Sequence, residues 1–164
     1  MSHIRPARPE DVPVILQLVH DLAVYEREPD AVKATAEGLR DALFGPAPAV
    51  FAHVAEEDGE VQGFALWFRN FSTWEGVHGI YLEDLYVRPE ARGRGHGSAL
   101  LRTLAQIADE RGYARVEWAV LNWNAPSIGF YRSLGARPQD EWTTFRLTGA
   151  ALAELAAEGA DVRA

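Results

Sequence analysis

The chain has 164 residues, a formal net charge of −8 and 48% hydrophobic residues. That length suits a single domain, 1–164, with a core of ordinary size, and the acidic balance speaks against sequence-independent binding to nucleic acid, which needs a basic surface. Cysteine is absent, which excludes disulfides, thiolate nucleophiles and cysteine-based zinc sites.

The five histidines, His3, His20, His53, His78 and His96, lack the paired spacing of metal ligands, so no metal is expected. No apolar run approaches membrane-spanning length, and the opening Met-Ser-His-Ile-Arg-Pro does not read as a signal peptide. The expectation is a cytoplasmic protein with no membrane partner.

Residues 4–8 read as a short strand before Pro9-Glu10-Asp11, where the acidic pair suits the first turn of a helix. Over 12–25, Val12, Ile15, Leu16, Val19, Leu22 and Ala23 recur at helical spacing and predict an amphipathic helix. A second helix over 34–43 stops at Gly45-Pro46. Strands over 50–55 and 61–68 flank Glu57-Asp58-Gly59-Glu60, whose Asp-Gly pair predicts a hairpin turn.

The polar, glycine-containing stretch 70–79 reads as a loop, and 80–87, rich in aromatic and branched residues, as a strand stopped by Pro89. A helix over 98–111 carries Leu100, Leu101, Leu104, Ile107 and Ala108 on one stripe and ends at Gly112. A strand over 115–121 follows, making that helix a crossover between parallel strands. Pro126 opens a helix over 125–134 that Gly135 caps. A last strand over 141–147 and an alanine- and leucine-rich helix over 150–157 complete a mixed α/β order.

Between the strand over 80–87 and its following helix lies Arg92-Gly93-Arg94-Gly95-His96-Gly97-Ser98. Three glycines at alternate positions let several N–H groups face one point, and the helix N-terminus adds partial positive charge, which together suit a phosphate. No lysine stands where a P-loop requires one, and the sixth position of a dinucleotide fingerprint is Ser98. On its chemistry alone the loop also reads as a purely structural turn.

Tyr81-Leu82-Glu83-Asp84-Leu85-Tyr86-Val87, the glycine loop, Asn122-Trp123-Asn124-Ala125-Pro126-Ser127 and Phe130-Tyr131 followed by Leu134-Gly135-Ala136 resemble the diamine N-acetyltransferases of the GNAT superfamily. That branch holds the spermidine/spermine enzymes and their thialysine-acetylating relatives. The resemblance starts at Ile4-Arg5-Pro6, passes through Leu22-Ala23-Val24-Tyr25-Glu26 and ends near Trp142. It implies the acyl-CoA N-acyltransferase fold: a mixed, mostly antiparallel central sheet flanked by helices, with a parallel strand pair around the coenzyme-binding helix. It also implies acetyl-coenzyme A as co-substrate and a homodimer.

Residue by residue, the resemblance lays the pantetheine arm along the backbone of Leu85, Tyr86 and Val87. It sets the pyrophosphate on Gly93, Arg94, Gly95, His96, Gly97 and Ser98, with Arg92 and Arg94 offering charge-assisted bonds. Asn124, Pro126 and Ser127 match further coenzyme contacts, although Asn124 and Ser127 read equally as helix caps. Tyr131 matches the tyrosine beside the thioester sulfur, the general acid for the leaving thiolate; by itself it reads as a half-buried aromatic.

Glu83 matches a carboxylate that takes the amine proton directly or through water. Such a group is needed because an alkylamine, with a pKa of about 10.4, is almost wholly protonated near neutral pH. Successive strand residues face opposite sides, which would leave one of Glu83 and Asp84 a solvated charge; Asp84 is kept as a supporting contact.

The acceptor pocket draws on Tyr25, Glu26, Ser72, Thr73, Trp74, Glu117, Trp118, Ala119, Leu121 and Trp142. Several of these read equally as core or lid. Polyamine-acetylating members carry an acid two positions before the tryptophan matched by Trp74, where this chain has Ser72, and a smaller residue at Leu121. Ser72, Thr73 and Leu121 resemble the thialysine-type relatives. The expected activity is direct acetyl transfer to a small primary amine, with a lysine-like amino acid favoured over a polyamine. Without cysteine no thiol can carry the acetyl group. The alternatives are di- or polyamine acetylation and a coenzyme A-binding sensor without turnover.

Overall fold

The apolar stripe over 12–25 forms α1 (Val12–Tyr25), and α2 (Ala36–Phe44) is opened by Thr35, whose hydroxyl accepts from the Gly38 N–H at 3.0 Å. The computed structural model describes residues 2–158, in two compact units divided after Leu121. The first unit holds a five-stranded sheet in the order β1 (His3–Pro6), β2 (Phe51–Glu57), β3 (Glu60–Ser72), β4 (Val77–Val87) and β5 (Val116–Glu117). All pairs are antiparallel except β4 with β5. That exception follows from α3 (His96–Glu110), which carries the chain back between the two strands.

The strand period decides which residues reach which face. Val54, Phe64, Leu66 and Tyr86 join Ile15 and Leu18 of α1 and Leu43 of α2 in one core. Trp67, one residue from Leu66, lies on the other face, where Arg111 at the end of α3 stands over its ring at 5.8 Å. Leu100, Leu101 and Leu104 are the buried stripe of α3. At the sheet edge, Asp11 is buried and accepts from Arg5 at 2.7 and 3.1 Å and from the Arg8 N–H at 2.7 Å. Burial works to raise the Asp11 pKa, but these bonds outweigh it and hold the carboxyl below its ordinary value.

Four expectations need correction. The loop over 70–79 is only a turn at residues 73–76, because β3 and β4 continue pairing through Asn70 with Gly79, Phe71 with His78 and Ser72 with Val77. Ladder hydrogen bonds are made by backbone, so polar side chains at an exposed hairpin end do not stop them. The helix after the glycine loop starts at His96, two residues earlier than expected. The strand over 115–121 shrinks to Val116–Glu117.

The strand over 141–147 does not form: residues 142–148 carry no strand pairing. A strand exists only through a neighbour, and the described part of the second unit holds α4 (Ala125–Ser133) and α5 (Gly149–Ala157) without any strand. No residue of either helix is buried, and Phe145 is 92% exposed. Among the described residues, no helix is long and apolar enough to cross a membrane.

Candidate active site

The register of β3 against β4 slips once. Leu66 faces Asp84 while its neighbour Trp67 faces Leu82, so Glu83 is an extra residue, a β-bulge. Asp84 shares the face of Leu66, which packs toward α1. Tyr81, paired with Phe68, lies on that same face, and so by the two-residue period does Glu83. The bulge therefore turns both acids to one side, against the simple alternation expected from sequence.

The electrostatics agree. Burial pushes the Asp84 carboxyl up to about 6, helped by the negative charges of Glu83 and Glu26. Glu26, which caps the C-terminus of α1, is also raised, by burial and then by Glu83. Tyr81 is raised by burial, Glu83 and Glu117. Glu26, Glu83 and Asp84 thus form a mutually repelling acidic site at the end of α1. Among the described residues, no group of three or more carboxylates or imidazoles is placed to hold a metal ion.

Immediately beyond β4 comes the glycine loop. Gly93 and Gly95 have φ of 79° and 86°, which favours glycine, and Gly95 is the left-handed N-cap of α3. A Cβ built on Gly93, Gly95 or Gly97 would meet nothing within 4 Å, so open space lies over the cradle. The first turn of α3 leaves its N–H groups without intrahelical partners there. Open space, orphan donors and the helix dipole fit a coenzyme pyrophosphate.

The side chains of the loop divide their work. His96 is buried, 1% exposed, with Nδ1 2.9 Å from Ser2 Oγ. Only its backbone N–H is available to the cradle. Arg94 is half exposed and donates to Glu57 Oε2 at 2.8 Å. Arg92 donates through Nε to the Val87 carbonyl at 2.9 Å.

Other candidates lie elsewhere. Ser72 Oγ accepts from the Glu75 N–H at 3.1 Å and from Arg115 at 3.2 Å, which makes it part of the β3–β4 turn. Thr73 and Trp74 are in that turn, and Trp74 is 85% exposed. At about 3.3 Å per residue, this turn is roughly 20 Å along β4 from Asp84, so one chain does not bring Ser72, Thr73 and Trp74 to the acidic site. Glu117 accepts from Asn70 at 3.4 Å on β5, and Trp118, Ala119 and Leu121 follow it outside any strand.

Asn124, Pro126, Ser127, Tyr131 and Trp142 belong to the second unit. There Asn124 Oδ1 caps α4 by accepting from the Ser127 N–H at 3.3 Å, and Pro126 stands in the first helical turn. Tyr131, half-buried, lies in α4 with its ring 5.6 Å from that of Phe130. The sequence did not reveal the bulge at Glu83, the Glu57 contact to Arg94, or the place of Arg92 between two tyrosines described below.

A sheet with one parallel pair, a bulged acidic strand and a glycine cradle at the following helix are the parts of an acyl-transfer enzyme. Residues 15–136 match the Acetyltransferase (GNAT) family, and the chain belongs to that family of N-acetyltransferases. It is 41% identical to a protein named thialysine N-epsilon-acetyltransferase from Bos taurus, over 93% of this chain and 96% of that one. It is 33% identical to L-ornithine N5-acetyltransferase NATA1 of Arabidopsis thaliana, over 92% and 86% of the two chains. Among solved structures, an integron cassette protein from the V. cholerae mobile metagenome superposes with a TM-score of 0.80 at 27% identity, covering 96% of this chain and 98% of that one.

Proposed function

We propose that the chain transfers acetyl from acetyl-coenzyme A to the side-chain amine of a lysine-like amino acid, thialysine being the favoured type. The observation that carries this reading is the convergence of Glu26, Glu83 and Asp84 on one face, just before the cradle. Such a site attracts an ammonium and offers a proton acceptor. Two named relatives, the thialysine and ornithine enzymes, act by name on amino acids with a side-chain amine.

In this reading the amine proton passes to the Glu83–Asp84 pair, where Asp84, raised toward neutrality, is better matched to the task than an ordinary carboxylate. The freed nitrogen attacks the acetyl carbonyl carbon. The N–C bond forms and the C–S bond breaks; the thiolate takes a proton from the Tyr131 hydroxyl, and the second proton, shed by the nitrogen as it becomes an amide, returns through solvent to restore that hydroxyl. The chain's part toward the coenzyme is to hold phosphate on the N–H groups of Gly93 to Ser98 and the arm along the Leu85 to Val87 backbone.

A homodimer belongs to the same proposal. It is supported by the exposed apolar side chains of the second unit, among them Trp142, Phe145 and Leu155 at 73%, 92% and 58% exposure. The roughly 20 Å between the Ser72 turn and Asp84 within one chain also fits a pocket completed by a second copy.

The test is coenzyme A release against thialysine, lysine, ornithine, putrescine, spermidine and spermine. Thialysine or lysine with the highest kcat/KM upholds the reading. Preference for spermidine overturns the amino-acid assignment, and turnover of none of them overturns the acceptor class.

A further inference from the structure

Tyr86 is buried at the end of β4, and Tyr25 closes α1. The Arg92 guanidinium stands against both rings, 5.3 Å from the Tyr86 centroid and 5.4 Å from that of Tyr25. Its Nε donates to the Val87 carbonyl at 2.9 Å, which fixes the plane of the group. A planar, delocalised cation can stack on aromatic faces while one N–H holds its direction; a lysine ammonium cannot do both.

Each ring is tied to the acidic site through the chain. Glu26 follows Tyr25 directly, and Asp84 is two residues before Tyr86 on the same strand face. Burial is the main reason that Glu26 and Asp84 are raised, and repulsion between the carboxylates of the two segments adds to it. Like charges on the two segments favour a wider separation of the end of α1 from β4, and Arg92, in contact with a residue of each, acts against it.

We propose that Arg92 is a positioning residue for the acceptor amine. By clamping Tyr25 to Tyr86 it fixes the separation of Glu26 from Asp84, and so the geometry in which the ammonium is read. This rests on the amine-acetyltransferase reading above and departs from the assignment of Arg92 to the coenzyme phosphate. The phosphate then rests on the N–H groups of the cradle and on Arg94.

The test compares Arg92→Lys, Tyr25→Leu and the double variant, with thermal melts to confirm folding. Lysine keeps the positive charge that a phosphate needs and loses the planar clamp. The expected result is an acceptor KM raised about tenfold in each single variant, with acetyl-coenzyme A KM changed by less than about twofold. The double variant is expected to be no worse than either single one, because both remove the same clamp.

A rise confined to the acetyl-coenzyme A KM of Arg92→Lys overturns the proposal, as does a double variant whose effects multiply. If the wild-type chain acetylates none of the amines, the acceptor reading has failed, and calorimetry with coenzyme A alone still decides the clamp. Affinity kept by Arg92→Lys, with melting shifts in the two single variants that do not add in the double, supports it. Affinity lost about tenfold overturns it.

Discussion

Arg94 Nη1 lies 2.8 Å from Glu57 Oε2, so one cation of the phosphate cradle is countered by the end of β2. The same oxygen is 3.5 Å from the buried Nε2 of His96, which makes no shorter hydrogen bond among the described residues. The bond to Arg94 is the leading reason that the Glu57 carboxyl is held below its ordinary pKa. In the proposed function a coenzyme phosphate competes with this carboxylate for Arg94. Glu57→Gln is therefore expected to lower the KM for acetyl-coenzyme A by about threefold at low salt, with the gain fading as salt screens the site. Initial rates at two ionic strengths check it; an unchanged or raised KM would show that Glu57 does not compete.

In the proposed function Asp84 trades stability for its part as a proton acceptor. Its carboxyl titrates near 3.8 when unperturbed and at about 6 in the fold, so between these values the folded chain holds the proton more tightly than the unfolded chain. Stability contributed by this group is present at low pH and is lost as pH rises through about 6. Asp84→Asn should raise Tm at pH 7.5 by roughly 2–4 °C, the shift that about 1 kcal/mol gives in a chain of this size, and change it little at pH 4. The same variant should lose about 100-fold in kcat/KM for the amine, as expected for removal of a proton acceptor. In the unmodified enzyme the acid limb of kcat/KM should rise through pH 6 as Asp84 ionises.

Much of this site was legible in the order of residues. The α1 stripe ends at Tyr25 in both the reading and the structure, because helical spacing and a buried face are local in sequence. The glycine loop was legible because positive φ values at Gly93 and Gly95 need glycine. The bulge was not, since Glu83 becomes an extra residue only when β3 supplies a partner register. The strand over 141–147 failed for the same reason in reverse, its alternation finding no partner within the described second unit. The Arg94–Glu57 and Arg92–Tyr25 contacts join residues 37 and 67 positions apart, a distance over which spacing rules carry no information.

His53 is a second titrating element, on the face away from the acids. Trp67 Nε1 donates to His53 Nδ1 at 3.1 Å, which requires an unprotonated nitrogen and hence the neutral ring. Burial, with a smaller contribution from Arg111, holds its pKa below the ordinary 6.5. The stability it contributes is complete above pH 6.5 and is lost as pH falls through the lower folded value. His53→Gln keeps an acceptor for the indole without a titrating ring. Urea unfolding at pH 7 and pH 5 should show the variant gaining on the wild type as pH falls; a constant difference would remove His53 from the pH dependence. The comparison is made against wild type because Asp84 acts in the opposite direction over the same range.

Gly95 and Gly97 separate the folding duty of the loop from the coenzyme binding proposed for it. Gly95 holds a φ of 86° as the N-cap of α3, whereas Gly97 sits in the helix itself with ordinary helical φ. Neither has an atom within 4 Å of a built Cβ, so added methyl groups would stand in the open space over the cradle. Gly95→Ala should cost about 1–2 kcal/mol of stability from left-handed backbone strain and also abolish coenzyme binding. Gly97→Ala should gain up to about 1 kcal/mol from helix propensity while weakening coenzyme A by at least about tenfold, because its methyl occupies ligand space rather than protein space. Denaturant unfolding alongside calorimetry with coenzyme A reads both quantities for each variant. A Gly97→Ala chain that is stabilised and still binds coenzyme A normally would place the phosphate away from the first turn of α3.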